Sequence, residues 1–259
     1  MAKRKKIFKI IFGAIFKGIG QILLFFEFLF IFLFLKIFVR CKIKGKNNYN
    51  KNDEARVFLF NHYEIYGPVA AYLNFPYKFK PWVMDKLIDP KTVKEQMSVG
   101  VYNKFPKYPK WFKTIMINLL KNLVIFSVRY AGAIPVSRET IKDNIKTLQK
   151  SEKCLKSGKN IAIFPEMFYK DEGIGKFMSG FEHLGKYYYQ KTGKKISFYP
   201  VFISEKNKTI YIEKPVIYNP SNDPTLEKNR IINYAYETML DSYIKNELSS
   251  NVKIKKKRK

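Results

Sequence analysis

"AGAIPVSRETIKDNIKTLQKSEKCLKSGKNIAIFP", residues 131 to 165, decides the fold. Two short apolar runs, "AGAIPV" (131–136) and "KNIAIFP" (159–165), enclose a long stretch of mixed polarity. Within it Ile141, Ile145, Leu148 and Leu155 recur at helical spacing on one face, and Gly158 stands where such a helix would end. Strand, helix, strand at this separation is a βαβ unit, because parallel neighbours need a crossover long enough for a helix. The fold class is therefore α/β, with a mixed, largely parallel sheet flanked by helices.

Outward from this unit the same alternation continues. "ARVFLFN" (55–61) is a short apolar run bounded by polar residues, as a buried strand requires. "PVAAYL" follows with Pro68 at a first helical position and Gly67 at a tolerable N-cap. "ISFYPVFI" (196–203) and "TIYIEK" (209–214) are further strands, residues 224 to 247 form a terminal amphipathic helix, and "KIKKKRK" closes the chain as a basic tail.

The 259 residues suffice for one sizeable α/β domain. Lys and Arg outnumber Asp and Glu by 49 to 21, a formal charge of +28, so the partner is acidic: nucleic acid, an anionic membrane or an anionic substrate. Cys41 and Cys154 are far apart and give neither a disulfide framework nor a metal-ligand spacing, and two histidines add no zinc pattern. A metal site is not expected.

The N-terminus reads as membrane-seeking. "MAKRKK" precedes "ILLFFEFLFIFLFLKIFV" (22–39), which is apolar apart from Glu27 and Lys36 and just short of a full span. Basic residues flank it on both sides, so charge alone sets no orientation. A helical pair lying in one leaflet fits as well as a single span. Residues 44 to 54 are polar and turn-rich, a linker in this reading. The expected organisation is a membrane-anchoring segment over 1–43, an α/β domain over 55–247 and a basic tail over 248–259. "YNKFPKYPKWFKTIMINLLKNLVIF" (102–126) is a second aromatic and basic candidate for membrane contact.

Three polar residues fall at strand ends, where α/β proteins place ligands. His62 follows "VFLFN", Arg138 follows "AIPVS" and Glu166 follows "IAIFP". A histidine there suits a general base, and an arginine suits a phosphate or carboxylate. The glutamate could hold a hydroxyl substrate or balance the arginine.

The blocks "NHYEIYG", "GAIPVSR", "IAIFPE" and "FYPVFI", in that order, resemble the glycerolipid acyltransferases typified by 1-acylglycerol-3-phosphate acyltransferase. The resemblance covers residues 55 to about 215, and the 28 residues from Arg138 to Glu166 are similar to the family spacing. It extends through "GIGKFMSGFEHLGKYYYQKTGKKISFYPVFI", in whose helical part His183 matches no catalytic block. It implies that His62 takes the proton of an acceptor hydroxyl as that oxygen attacks an acyl thioester. Glu166 joins it as a catalytic residue, and Arg138, Glu166 and Lys170 bind substrate.

The family's aspartate, five positions after the histidine, is Gly67 here, and the glycine of its Phe-Pro-Glu-Gly block is Met167. Loss of an orienting carboxylate costs about four orders of magnitude in a serine-protease triad. Glu64, Tyr66 or Glu166 could orient the imidazole instead, and an aspartate restored at 67 is expected to fit as an N-cap and to raise transfer.

The expected activity is fatty acyl transfer to a lysophospholipid hydroxyl in phospholipid biosynthesis, with no cofactor beyond an acyl-CoA or acyl-carrier-protein thioester as co-substrate. The partners are anionic membrane lipids, the lysophospholipid and an acidic acyl carrier protein, and the active domain lies on the cytoplasmic side of a membrane. The alternative is a non-catalytic lipid-binding member of the same fold. A nucleic-acid role is disfavoured: no helix-turn-helix, zinc-finger or RNA-recognition pattern is visible, and such a role needs no hydrophobic anchor.

Overall fold

The computed structural model describes residues 26, 29–30, 33–63, 66–137, 140–166 and 173–249. They fall into two compact units, Met1–Phe38 with Lys86–Tyr130 and Val39–Asp85 with Ala131–Lys259. The second is an eight-stranded α/β unit. Its strands are β1 (Lys42–Lys44), β2 (Ala55–Phe60), β3 (Phe79–Met84), β4 (Ile134–Val136), β5 (Asn160–Ile163), β6 (Ile196–Ser204), β7 (Thr209–Ile212) and β8 (Val216–Ile217). The order is β1-β7-β6-β2-β5-β3-β4, with β8 also on β6. Strands β6, β2, β5, β3 and β4 run parallel, whereas β7 and β8 pair antiparallel with β6. The sheet is mixed and largely parallel, flanked by α1 (Tyr66–Asn74), α4 (Ile141–Lys156), α5 (His183–Thr192) and α6 (Pro224–Tyr243).

Burial on both faces explains why β2 is apolar without alternation. Val57 and Leu59 join Ile161, Ile163, Phe198, Leu184 and Ile231 on one face. Phe58 and Phe60 join Ala162, Tyr199 and Val201 on the other. Phe58 and Phe60 both meet Phe75 edge to face, at 4.7 and 5.0 Å between centroids, an arrangement aromatic rings favour. Small Ala70 and Ala71 of α1 are fully buried in this second cluster.

Three features differ from the sequence reading. The stretch 44–54 is fastened to the sheet: Asn48 Nδ2 donates to the Ile212 carbonyl at 2.8 Å, and the Tyr199 hydroxyl donates to Asp53. Tyr49 stacks on Tyr77 with centroids 3.7 Å apart. Asn74 clips the chain before β1, donating to the Val39 carbonyl at 2.6 Å and accepting from the Cys41 N–H at 3.0 Å. The α/β unit therefore begins at Val39 rather than at residue 55.

Second, α4 turns a different face inward. Leu155 is buried and Leu148 packs on the core, but Ile141 and Ile145 are 81% and 44% exposed. Thr147 and Ser151 take the inward positions, because Thr147 donates to the Pro135 carbonyl and Ser151 accepts from the Trp82 indole. The helix stops as expected, with Gly158 in the left-handed conformation.

Third, β1, β3 and β8 form where the sequence shows no clear strand pattern. Pro81 interrupts β3, yet Pro81 pairs with Ala162 in the parallel ladder.

In the first unit, α2 (Pro90–Lys104) and α3 (Lys110–Tyr130) pack against one another. Asp89 caps α2, accepting from the Lys91 N–H at 3.0 Å. By length and composition α3 could cross a bilayer, with a mean hydropathy of 1.3. Residues 22–25, 27, 28, 31 and 32 of the apolar N-terminal run lie outside the described residues. Of its described part, residues 33–38 are helical, and Phe30, Leu33, Phe34, Ile37 and Phe38 are exposed.

Candidate active site

Adjacent strands bring His62 and Glu166 together. Strands β2 and β5 are parallel neighbours, so the residues leaving their C-terminal ends meet at one sheet edge. Asn61 sets the exit of β2. Its side chain, 1% exposed, accepts from the Ile203 N–H at 2.6 Å and donates to the Ile203 carbonyl at 3.0 Å, which pins the strand end to β6. No motif in the sequence marks Asn61 for this positioning role. Its only signal was an amide closing an apolar run, where a buried backbone needs a partner.

The next residues turn sharply. Tyr63 has φ of 42°, a left-handed conformation that costs a bulky residue energy and persists only where the surroundings enforce it. Glu166 is one enforcing group: its Oε2 accepts the His62 backbone N–H at 3.2 Å. The contact is to the main chain of His62. The imidazole lies edge to face with Phe164, with centroids 5.5 Å apart.

Glu166 is held in turn by the segment that returns to it. Glu166 and Phe177 form an antiparallel bridge, and Met178 N–H donates to the Pro165 carbonyl at 2.7 Å. Glu166 is 7% exposed, and its Oε1 has no hydrogen bond among the described residues. Burial pushes its pKa up to about 7, against the opposing pull of the His62 and Gly175 backbone N–H groups. At neutral pH this acid is poised between its two forms.

A stability prediction follows from that burial. The folded pKa lies above the ordinary 4.5, so the native state binds the extra proton between those values. The contribution is fully present below about 4.5, is lost as pH rises through about 7, and amounts to roughly 3 kcal/mol. Glu166→Gln keeps an acceptor for the His62 N–H and removes the titration. Its melting temperature relative to the native chain should therefore rise between pH 4.5 and pH 8; an equal difference at both pH values would show that Glu166 is not buried as described.

Other candidate residues stand as follows. The Tyr66 hydroxyl contacts Cys41 Sγ at 3.5 Å, and burial raises its pKa. Lys208 Nζ lies 5.0 Å from the centre of the Tyr66 ring. Arg138, Glu64 and Lys170 lie outside the described residues, as does Met167. The strand leading to Arg138, β4, is separated from β5 by β3, so two interstrand spacings of about 4.8 Å intervene. His183 opens α5 with its side chain 59% exposed and Nε2 3.9 Å from Glu182 Oε1. No cluster of three or more His, Cys, Asp or Glu able to hold a metal occurs among the described residues.

Gly67 is corrected by the structure. Helix α1 begins at Tyr66, so Gly67 is its second residue rather than its N-cap. A Cβ there would stand 2.2 Å from the His62 carbonyl oxygen and 2.7 Å from that of Asn61. The turn closes so tightly on its own carbonyls that only glycine fits. An aspartate at 67 is not accommodated by this backbone.

The chain is similar to a solved structure, that of the 1-acyl-sn-glycerophosphate (LPA) acyltransferase PlsC from Thermotoga maritima. The two share 15% identity over 77% of this chain and 72% of that one, with a TM-score of 0.43. No protein-family profile and no curated protein matches the chain.

Proposed function

We propose that the chain transfers a fatty acyl group from an acyl thioester to the hydroxyl of a lysophospholipid resembling 1-acylglycerol-3-phosphate. One observation carries this reading: His62 leaves the central strand in a strained turn anchored to buried Glu166. Strained backbone of this kind clusters at active sites, ligand clamps and switch regions. The four ordered sequence blocks and the membrane-seeking N-terminus point the same way.

In the proposed reaction the His62 imidazole accepts the acceptor's hydroxyl proton while that oxygen attacks the thioester carbonyl carbon. The carbon–sulfur bond then breaks, and the thiolate leaves and takes up the proton. Glu166 holds the His62 main chain in register. Arg138 and Lys170 are assigned to the acceptor's phosphate, with Arg138 offering a bidentate contact. The thioester comes from coenzyme A or an acidic acyl carrier protein. The active domain lies on the cytoplasmic side of a membrane, to which the N-terminal segment anchors the chain.

The second reading, lipid binding without transfer, draws on Gly67: the turn leaves no room there for the side chain that would orient His62. The two are separated by incubating the purified full chain with acyl-CoA and with acyl-carrier-protein thioesters across a panel of lysophospholipids. Acylated product from at least one acceptor is expected. Saturable lysolipid binding with no product from any pair would favour the second reading.

A further inference from the structure

We propose that the turn joining α2 to α3 is a membrane-seating element, which docks in the headgroup region of an anionic bilayer. The turn and the start of α3 read "KFPKYPKWFK", residues 104 to 113. Their rings form one cluster: Phe105 lies 5.6 Å from Tyr108, Tyr108 5.1 Å from Phe112, and Phe112 6.0 Å from Trp111. The cluster is not a core. Trp111 is 66% exposed and Tyr108 51%, so two large aromatic side chains face outward beside exposed Lys107 and Lys110. Indole and phenol rings with an apolar body and a polar edge concentrate at membrane interfaces, and lysine stems extend beside them toward the headgroups.

The turn is shaped rather than loose. Lys113, 6% exposed, points inward, donating to the Pro106 carbonyl at 3.0 Å and lying 4.8 Å from the centre of the Tyr102 ring. The inward lysine and two prolines fix the loop, so little ordering entropy opposes docking.

Polarity is graded along α3. Beyond the aromatic cluster, Thr114 to Val128 carries a single charge, Lys121, and Ile115 is 60% exposed. A bilayer offers that same gradient from headgroup to acyl chain. An acidic protein would match the lysines and leave the apolar continuation uncovered.

Charge selects the leaflet. Residues 86 to 130 hold nine Lys and Arg against two Asp and Glu, which attracts anionic lipid and opposes pairing with a second, equally basic copy.

Seating at this turn is independent of the chemistry at His62 and is read from the position of Trp111 rather than from activity. The chain has two tryptophans, and the indole N–H of Trp82 is held by Ser151 Oγ at 2.9 Å within the α/β unit. Full-length chain is reconstituted into phosphatidylcholine–phosphatidylglycerol vesicles whose acyl chains carry bromine near the headgroup. The Trp111→Phe variant supplies the Trp82 background.

Trp111 emission should fall by more than half relative to unbrominated vesicles. Quenching should weaken in pure phosphatidylcholine and in the double variant Lys107→Gln, Lys110→Gln. Unquenched Trp111 emission overturns the proposal, as does a lipid-independent shift with chain concentration or with added acyl carrier protein. Equal quenching in pure phosphatidylcholine overturns the assignment to anionic lipid.

Discussion

His62→Ala should lower acyl transfer by roughly a hundred- to ten-thousand-fold, the range over which a positioned general base acts. The fold should survive, because the substitution spares the bonds that build the site. The Glu166 carboxyl accepts from the backbone N–H of residue 62, which alanine retains, and Asn61 still binds both polar groups of Ile203. The imidazole is lost, and with it the edge-to-face contact with Phe164. The variant should therefore melt close to the native chain while product formation is lost. Undiminished transfer would assign proton removal to another group and would end the mechanism proposed for this site.

The second large effect is on stability, at Gly67. Gly67→Ala and Gly67→Asp should both destabilise the chain by about 3 kcal/mol or more, at the upper end of the cost of forcing atoms into filled space. The cause is common to the two: a Cβ 2.2 Å from the His62 carbonyl oxygen, a backbone atom that moves only if the whole turn opens. Aspartate in a first helical turn gains from the helix dipole, but only about 0.3–1 kcal/mol, too little to offset the clash. Opening the turn would also displace His62, so Gly67→Asp should lower transfer rather than raise it. Chemical denaturation of both variants checks this. An alanine variant as stable as the native chain would mean the turn is wound differently, and the case for an aspartate at 67 would return.

Much of the architecture was legible along the chain. Buried parallel strands must be apolar on both faces, and a right-spaced amphipathic stretch between two of them must cross over; "AGAIPV", "KNIAIFP" and the helix between them meet both conditions, and strands and helix form there. The same logic put His62 and Glu166 beyond strand ends. Strand order, by contrast, depends on long-range pairing that no local pattern encodes. Only the folded chain sets β5 beside β2, bringing Glu166 to the backbone of His62, and sets β3 between β5 and β4. Burial, and with it the raised pKa of Glu166, is likewise a property of what surrounds a residue, here the returning segment around Phe177.

Gly67 shows the boundary most clearly. Read as a sequence, glycine before proline is an acceptable helix cap, and aspartate is a better one. The tertiary turn instead brings two carbonyl oxygens to within 2.7 Å of where a Cβ would sit, and steric exclusion outweighs capping preference. The sequence by itself determined an α/β fold with a histidine and a glutamate at strand ends, because hydrophobic periodicity is a local property. The tertiary structure alone decided which polar groups meet and how much space each has, because contacts between distant residues set both.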